Sequence, residues 1–401
     1  MARRGLLQSF KGIYRQSQLV LLFVTNVVTA QNQTIHSSLF SLFTDNLGAS
    51  PSEIGMMVFL SGVVATALMI PAGLLAQRYG KKRIIILSII LQAVALFLYT
   101  LVQDWRQVIP LNILFAASFA FFIPARMIFV ADHTTPRNRA TVFSIMNIAW
   151  STGSIYGPIV GGVLADAFPG WKVPFYFMAL SLILSLAPAS LLREQGSSET
   201  ENRSGTSKFG TELSTLRCIA PILVFHVLMD IGVAAVDPLV PLYLETRFNV
   251  TKTQVGIFYS LGFGLATLLF QVPTGYLADK KGKKKILIFS SVTIPVLYLL
   301  CTMAGNYLTL MIIYLFINAL WGMTWPTSMA ILLDAVPTQA KQLAVSVRQT
   351  SIRLGSTIGP LLGGFAWNLG GGIGSFFVAA FFAATSVPAV LLQKEAAKAQ
   401  T

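Results

Sequence analysis

Charge is scarce in this chain. Lys, Arg, Asp and Glu make up 11% of its 401 residues while 54% are apolar, against roughly a quarter charged in a soluble domain. Water cannot be its main solvent. Cysteine is scarcer still: Cys218 and Cys301 sit in or at the edge of apolar stretches and form neither a disulfide framework nor a metal-ligand spacing, so no metal is expected. A G-x-x-x-x-G-K-[ST] phosphate loop, an H-E-x-x-H metal pair and a G-x-S-x-G nucleophile turn are all missing. Their absence gives no support to ATP-driven pumping, to an intramembrane enzyme or to a cofactor. Acidic residues number 15 against 29 basic ones, a net +14, which on its own could point to nucleic acid.

What the chain has is apolar length. Twelve runs are of about the 20 residues that cross a hydrocarbon core at 1.5 Å rise per residue. They lie at 18–43, 54–76, 84–103, 107–131, 141–167, 172–192, 218–244, 254–278, 285–304, 307–333, 342–369 and 371–393. The runs are continuous rather than alternating, and a helix satisfies its own backbone hydrogen bonds, so helices are expected rather than a barrel. The basic N-terminus before an apolar run imitates a signal peptide. That run is too long and eleven more follow it, so it is expected to stay attached.

Placement explains the basic excess. With the N-terminus in the cytoplasm, 22 Lys and Arg fall inside, four fall outside (Arg106, Lys172, Arg247, Lys252) and three lie within spans (Arg126, Arg348, Arg353). This is the positive-inside asymmetry. The charge therefore reports orientation, both ends are expected in the cytoplasm of a prokaryotic-type cell membrane, and no nucleic-acid partner is implied.

The one long polar interruption, 193–217, is rich in Ser, Thr, Glu and Gly and reads as a solvated linker. It divides the chain into six-helix bundles at 1–192 and 218–401. The halves repeat at an offset of 202: Pro71 meets Pro273, Gly73 meets Gly275, Gly80 meets Gly282, Lys81 meets Lys283, Pro124 meets Pro326 and Asp132 meets Asp334. Gly153, Gly157, Pro158 and Gly161 likewise meet Gly355, Gly359, Pro360 and Gly363. Six spans return the chain to its starting side, so the repeats are parallel.

The loop after the second span reads Gly73-Leu-Leu-Ala-Gln-Arg-Tyr-Gly80-Lys-Lys-Arg83, and after the eighth Gly275-Tyr-Leu-Ala-Asp-Lys-Lys-Gly282-Lys-Lys-Lys285. With G-x-x-x-G-P-x-x-G-G in both the fifth and eleventh spans, the chain resembles the major facilitator superfamily over nearly its whole length. Its pattern is nearest the twelve-helix members that exchange drugs for protons. The resemblance implies an all-α integral membrane fold of two pseudo-symmetric bundles around a cavity that opens alternately to either side. It also implies that Lys81 pairs with Asp132 and Lys283 with Asp334, forming a cytoplasmic latch. The loop acid of that family is Asp279 in the second half, whereas the first half has Gln77. A second departure lies on the fourth span, where Asn112, Ala116 and Ser118 replace the arginine and two glycines usual in drug and proton antiporters.

In the fifth and eleventh spans the glycines recur every four residues, laying a flat stripe on which a neighbouring backbone can approach closely. Pro158 and Pro360 each remove a backbone donor and bend the helix. The fifth-span copy resembles the antiporter motif of drug exporters; its repetition in the eleventh is also what duplication would leave.

Ionisable groups inside lipid cost of order 2.5 to 3.5 kcal/mol each, so every one asks for a function. Asp230 and Asp237 are seven residues apart, nearly on one helix face. Either could carry a proton, or pair with an arginine from the eleventh span. On the first span Gln31, Asn32, Gln33, Thr34 and His36 are polar all round, with Asn32 and His36 sharing a face expected to line the cavity; His36 reads as a proton site or as a packing residue. Arg353 could attract an anion or neutralise an aspartate, and Arg126 and Arg348 are expected to be cytoplasmic gate residues or side chains snorkelling to the surface.

Two readings follow. One is a monomeric secondary exporter of small amphipathic or drug-like molecules, driven by protons through Asp230. The other is a transporter of a polar or anionic metabolite, by uptake or exchange, that uses Arg353 and the first-span amides.

Overall fold

A computed structural model of the chain describes residues 17–135, 138–194, 209–266, 269–270, 282–337 and 340–393. Within these every regular element is helical: α1 (Ser17–Asn46), α2 (Pro51–Tyr79), α3 (Lys81–Tyr99), α4 (Trp105–Asp132), α5 (Arg139–Ala167), α6 (Lys172–Ser190), α7 (Phe209–Val236), α8 (Val240–Phe248), α9 (Lys252–Tyr259, continued by a π-helical turn Ser260–Leu265), α10 (Lys283–Thr302), α11 (Tyr307–Asp334), α12 (Lys341–Thr385) and α13 (Val387–Leu392). Gly275, Asp279 and most of the expected linker lie outside the described residues.

Local chemistry sets the ends. Gly80 and Gly282 take φ of 98° and 97°, a region strained for other L residues, so the chain turns sharply just before α3 and α10. Asp104 and Asn306 cap α4 and α11 by accepting from Arg106 and Thr309 backbone N–H. Thr251 and Gln254 form a reciprocal capping box on α9.

Nine helical stretches among the described residues are long and apolar enough to cross a bilayer. One of them, Leu343–Leu392, holds two of the expected crossings, because the backbone at Gly370 and Gly371 leaves helical geometry and breaks α12 there. Although 30 residues long, α1 is not among the nine, since its polar run lowers its hydropathy. Leu369, Met303 and Ile70 are 92%, 79% and 77% exposed. In water such an apolar surface would associate; in hydrocarbon it is the solvated one.

The described residues fall into two compact units. The first holds 17–48, 60–194 and 251–260, and the second holds the described parts of 49–59, 209–250 and 261–393. Each is a sequence half with one exchanged segment: α9 joins the first unit, and the opening turns of α2 join the second.

In the first unit α1 packs on α5 and α6, α3 on α4 and α6, and α9 on α5; in the second, α7 packs on α12 and α10 on α11 and α12. The glycine stripes make these contacts. A Cβ on Gly157 would stand 2.8 Å from Thr34 Oγ1, and one on Gly359 2.5 Å from the Ile231 carbonyl, so α1 and α7 lie on α5 and α12 with no room for a methyl group. The same two helices have a second bare face. Gly162 of α5 abuts the backbone at Lys252, and Gly364 of α12 abuts the backbone at Pro51. Asp166 adds a bond of its own, accepting from the backbone N–H of Lys252 at 3.1 Å and of Thr253 at 2.7 Å.

Candidate functional site

The second unit buries a charged cluster at the α7–α11–α12 junction. Asp230 and His226 are one helical turn apart on α7, so both side chains face the same way. Asp230 Oδ2 lies 3.4 Å from His226 Nδ1. On the other side of the ring, Arg348 Nε donates to His226 Nε2 at 3.1 Å, and Ser328 Oγ lies 3.0 Å from the same nitrogen. Arg348 Nη2 also donates to Ser328 Oγ at 3.0 Å and to the Trp325 carbonyl at 3.4 Å, and its guanidinium lies 4.9 Å from the Trp325 ring centre. The Arg348 side chain is fully buried, as are His226 and Ser328, and Asp230 nearly so.

Arg348, expected at the cytoplasmic gate, thus reaches from α12 to three hydrogen-bonding partners, His226, Ser328 and the Trp325 carbonyl. Asp237 accepts from the Tyr314 hydroxyl of α11. Arg353, one and a half turns beyond Arg348, is half-buried, and its guanidinium has no hydrogen-bond or ion-pair partner among the described residues.

In the first unit the corresponding place is built differently. Asn26 of α1 is fully buried, donates to the Met146 carbonyl at 2.8 Å and accepts from Arg126 Nη1 at 2.5 Å. Arg126 of α4 lies 5.9 Å from the Phe122 ring centre and 6.0 Å from that of Trp150. Asn26 matches His226 at an offset of 200, while Arg126 matches Ser328 and Met146 matches Arg348 at 202. Each unit thus has one guanidinium on an equivalent polar group, reached from α4 in the first and from α12 in the second.

Asn32 and His36 both have partners inside the first unit. Asn32 is fully buried and donates to Ser181 Oγ of α6 at 2.9 Å. His36 lies 3.2 Å from the Tyr99 hydroxyl and stacks on Phe115 at 4.1 Å, an aromatic packing cluster. Two amide neighbours in the run are less satisfied: Gln31 Oε1 accepts from Tyr156, but Gln31 Nε2 and Gln33 Oε1 are buried and unbonded among the described residues. Asn112, at the departure on the fourth span, donates to Ser61 Oγ of α2 at 3.1 Å.

At the loop motifs Lys81 meets Asp132 at 3.1 Å, and Lys283 meets Asp334 at 2.6 Å. Gln77 is exposed. A carboxylate nevertheless reaches this loop, because Glu194, just past α6, accepts from Lys82 N–H at 2.8 Å, where a Cβ on Gly80 would collide with it. His133 at the end of α4 lies 3.1 Å from the Arg193 carbonyl. His226, Ser328, Tyr314 and Glu194 escaped the sequence reading. A histidine one turn before Asp230, among only three in the chain, was the signal available for the first of them.

The sequence matches the family pattern described as Major Facilitator Superfamily over residues 22–225 and again over 222–401. It is 25% identical over 369 residues to Multidrug resistance protein 2 of Bacillus subtilis (strain 168), covering 90% of this chain and 91% of that protein. It is also 25% identical over 332 residues to the Quinolone resistance protein NorA of Staphylococcus aureus (strain MSSA476), covering 80% and 83%. Among solved structures, a bacterial homolog to the human lysosomal transporter Spinster, inward-facing and occupied, superposes with a TM-score of 0.80 at 14% identity, over 95% of this chain and 97% of that one. A D-xylose-proton symporter gives 0.73 at 14% identity over 97% and 100%; both likenesses concern the fold.

Proposed function

The chain belongs to the major facilitator superfamily and is an integral, multi-pass membrane protein, and on that premise we propose that it is a proton-driven exporter of small amphipathic, drug-like molecules. The carrying observation is the burial of Asp230 in an apolar span beside His226 and Arg348. A carboxylate held away from water changes charge only by taking or giving up a proton, and neutralising it removes its desolvation cost. Relatives named for multidrug and quinolone resistance support the substrate class.

In this reading the protein works as a monomer with both termini in the cytoplasm, and its partners are the substrate, protons and the lipid bilayer. The bundles 1–192 and 218–401, joined by the linker 193–217, carry the substrate by alternating access. Lys81–Asp132 and Lys283–Asp334 form and break at the cytoplasmic side, with Gly80 and Gly282 turning the chain before each lysine and Gly73 and Gln77 in the last turns of α2. Asp237 and its Tyr314 partner serve as a second carboxylate nearer the outer face.

The test is flux in proteoliposomes with an imposed pH gradient, comparing wild type with Asp230→Asn. Uphill, gradient-driven transport is expected to drop by an order of magnitude or more in the variant while downhill exchange persists. Undiminished gradient-driven flux in Asp230→Asn removes the assignment. The half-buried guanidinium of Arg353, with no partner among the described residues, favours a second reading, transport of an anionic metabolite. Stabilisation sharply selective for one organic anion, lost in Arg353→Gln, would identify it.

A further inference from the structure

Building on the proton-carrying role of Asp230, we propose that His226 is a positioning residue that ties the charge state of Asp230 on α7 to the hold of Arg348 on α12. The argument starts from what each group can donate. A guanidinium has donors only, so the Arg348 Nε contact at 3.1 Å makes His226 Nε2 the acceptor. Ser328 receives Arg348 Nη2 at 3.0 Å and has the Trp325 carbonyl 3.3 Å away for its single proton. Nε2 therefore carries no hydrogen, and the ring's one proton sits on Nδ1, facing Asp230 Oδ2 at 3.4 Å.

A neutral imidazole thus stands between a cation and a carboxylate. A second proton on the ring would set N–H against the guanidinium N–H, so a proton entering the cluster rests on Asp230. The remaining polar group on the ring is neutral: Ser328 of α11. The other ionisable groups near Asp230 are Asp237 of α7 and Tyr298 of α10.

Loading that proton weakens the carboxylate as an acceptor and loosens its grip on the ring. The ring can then turn, and Arg348 is free to redirect its donors. One is already waiting, since Arg348 Nη1 is buried without a bonded partner among the described residues. The backbones are too close to absorb a shift of Arg348: a Cβ on Gly355 of α12 would stand 2.7 Å from Asp230 Cβ. Movement at the cluster therefore passes into the α7–α12 contact. The first unit supplies an internal contrast. There the equivalent positions hold Asn26, which has no second tautomer, and Ala30, which has no charge, so the device belongs to the second unit alone.

Proteoliposomes loaded with pyranine, with ethidium as the transported probe, separate the roles. Two quantities are read across a range of pH: ethidium counterflow, which needs no coupling, and ethidium-driven proton movement. His226→Ala and His226→Phe are expected to keep counterflow near the wild-type rate and to lose most proton movement. His226→Gln, which can offer a carbonyl to Arg348 and an amide N–H to Asp230, is expected to recover part of it with an altered pH profile. An unchanged proton-to-ethidium ratio and pH profile in His226→Ala overturns the proposal. So does a parallel fall of both fluxes in the Ala and Gln variants, the mark of a purely architectural residue. A wild type that moves no ethidium, or moves it without protons, overturns the underlying reading instead, and this proposal with it.

Discussion

Asn26 and His226 occupy equivalent places on α1 and α7, and each accepts a hydrogen bond from an arginine, Arg126 at 2.5 Å and Arg348 at 3.1 Å. The arginines come from non-equivalent helices, so the duplication kept a polar node and changed which helix supplies its cation. Among the described residues only the second node includes a carboxylate.

Arg348→Lys keeps the charge but cannot reproduce one donor to His226 and another to Ser328 and the Trp325 carbonyl. Leaving those buried groups short of partners costs about 1–3 kcal/mol. The purified variant is expected to melt several degrees below wild type in detergent, whereas Arg353→Lys, at a guanidinium without described partners, is expected to melt close to wild type.

Gly157→Val is expected to reduce both folded yield and melting temperature. Its side chain would run into Thr34 Oγ1 at 2.8 Å and the Gln31 carbonyl at 2.9 Å, and overpacking of this kind costs about 1–3 kcal/mol. Gly305→Ala is the control: nothing lies within 4 Å of its added methyl, and its melting temperature should be unchanged.

The two loop ion pairs should differ in weight. Lys81 and Asp132 side chains are 10% and 24% exposed, whereas Lys283 and Asp334 are 31% and 52% exposed. Pairs as open as the second contribute about 0.2–1 kcal/mol and are screened by salt. Asp132→Asn is therefore expected to slow transport more than Asp334→Asn, and the difference should persist at high ionic strength. Equal effects that vanish together in salt would show that burial does not separate them.

Glu194→Ala removes the carboxylate that accepts the Lys82 N–H at the start of α3. Loss of such a cap costs about 0.5–2 kcal/mol. Hydrogen exchange should quicken at the first-turn amides of α3 and stay unchanged at those of α10.

The helical architecture and the repeat were legible because lipid imposes them: apolar length, basic loops and glycines in register are written linearly along the chain. Lys81–Asp132 and Lys283–Asp334 could be named because the resemblance to the superfamily implies those pairings. The inner cluster was only half legible. Asp230 and Arg348 stood out as charges in apolar runs, but whether Arg348 turned inward depended on His226 and Ser328, contributed by two other helices. Helical spacing places Asn32 and His36 on one face, but their partners Ser181, Tyr99 and Phe115 come from α6, α3 and α4 and are not legible in the local sequence. Glu194 answers the charge missing at Gln77 from more than a hundred residues away, beyond the reach of any local motif.

The reversal at Gly370 and Gly371 has a mechanical corollary. Gly371 has φ of 63°, and past the bend Ser375 Oγ donates to the Gly363 carbonyl at 2.8 Å. The last two crossings are thereby stapled into a stiff hairpin with no slack at its tip, so a tilt imposed on either arm is handed to the other. A flexible peptide spliced in at the bend would uncouple them while leaving every side chain of both arms in place.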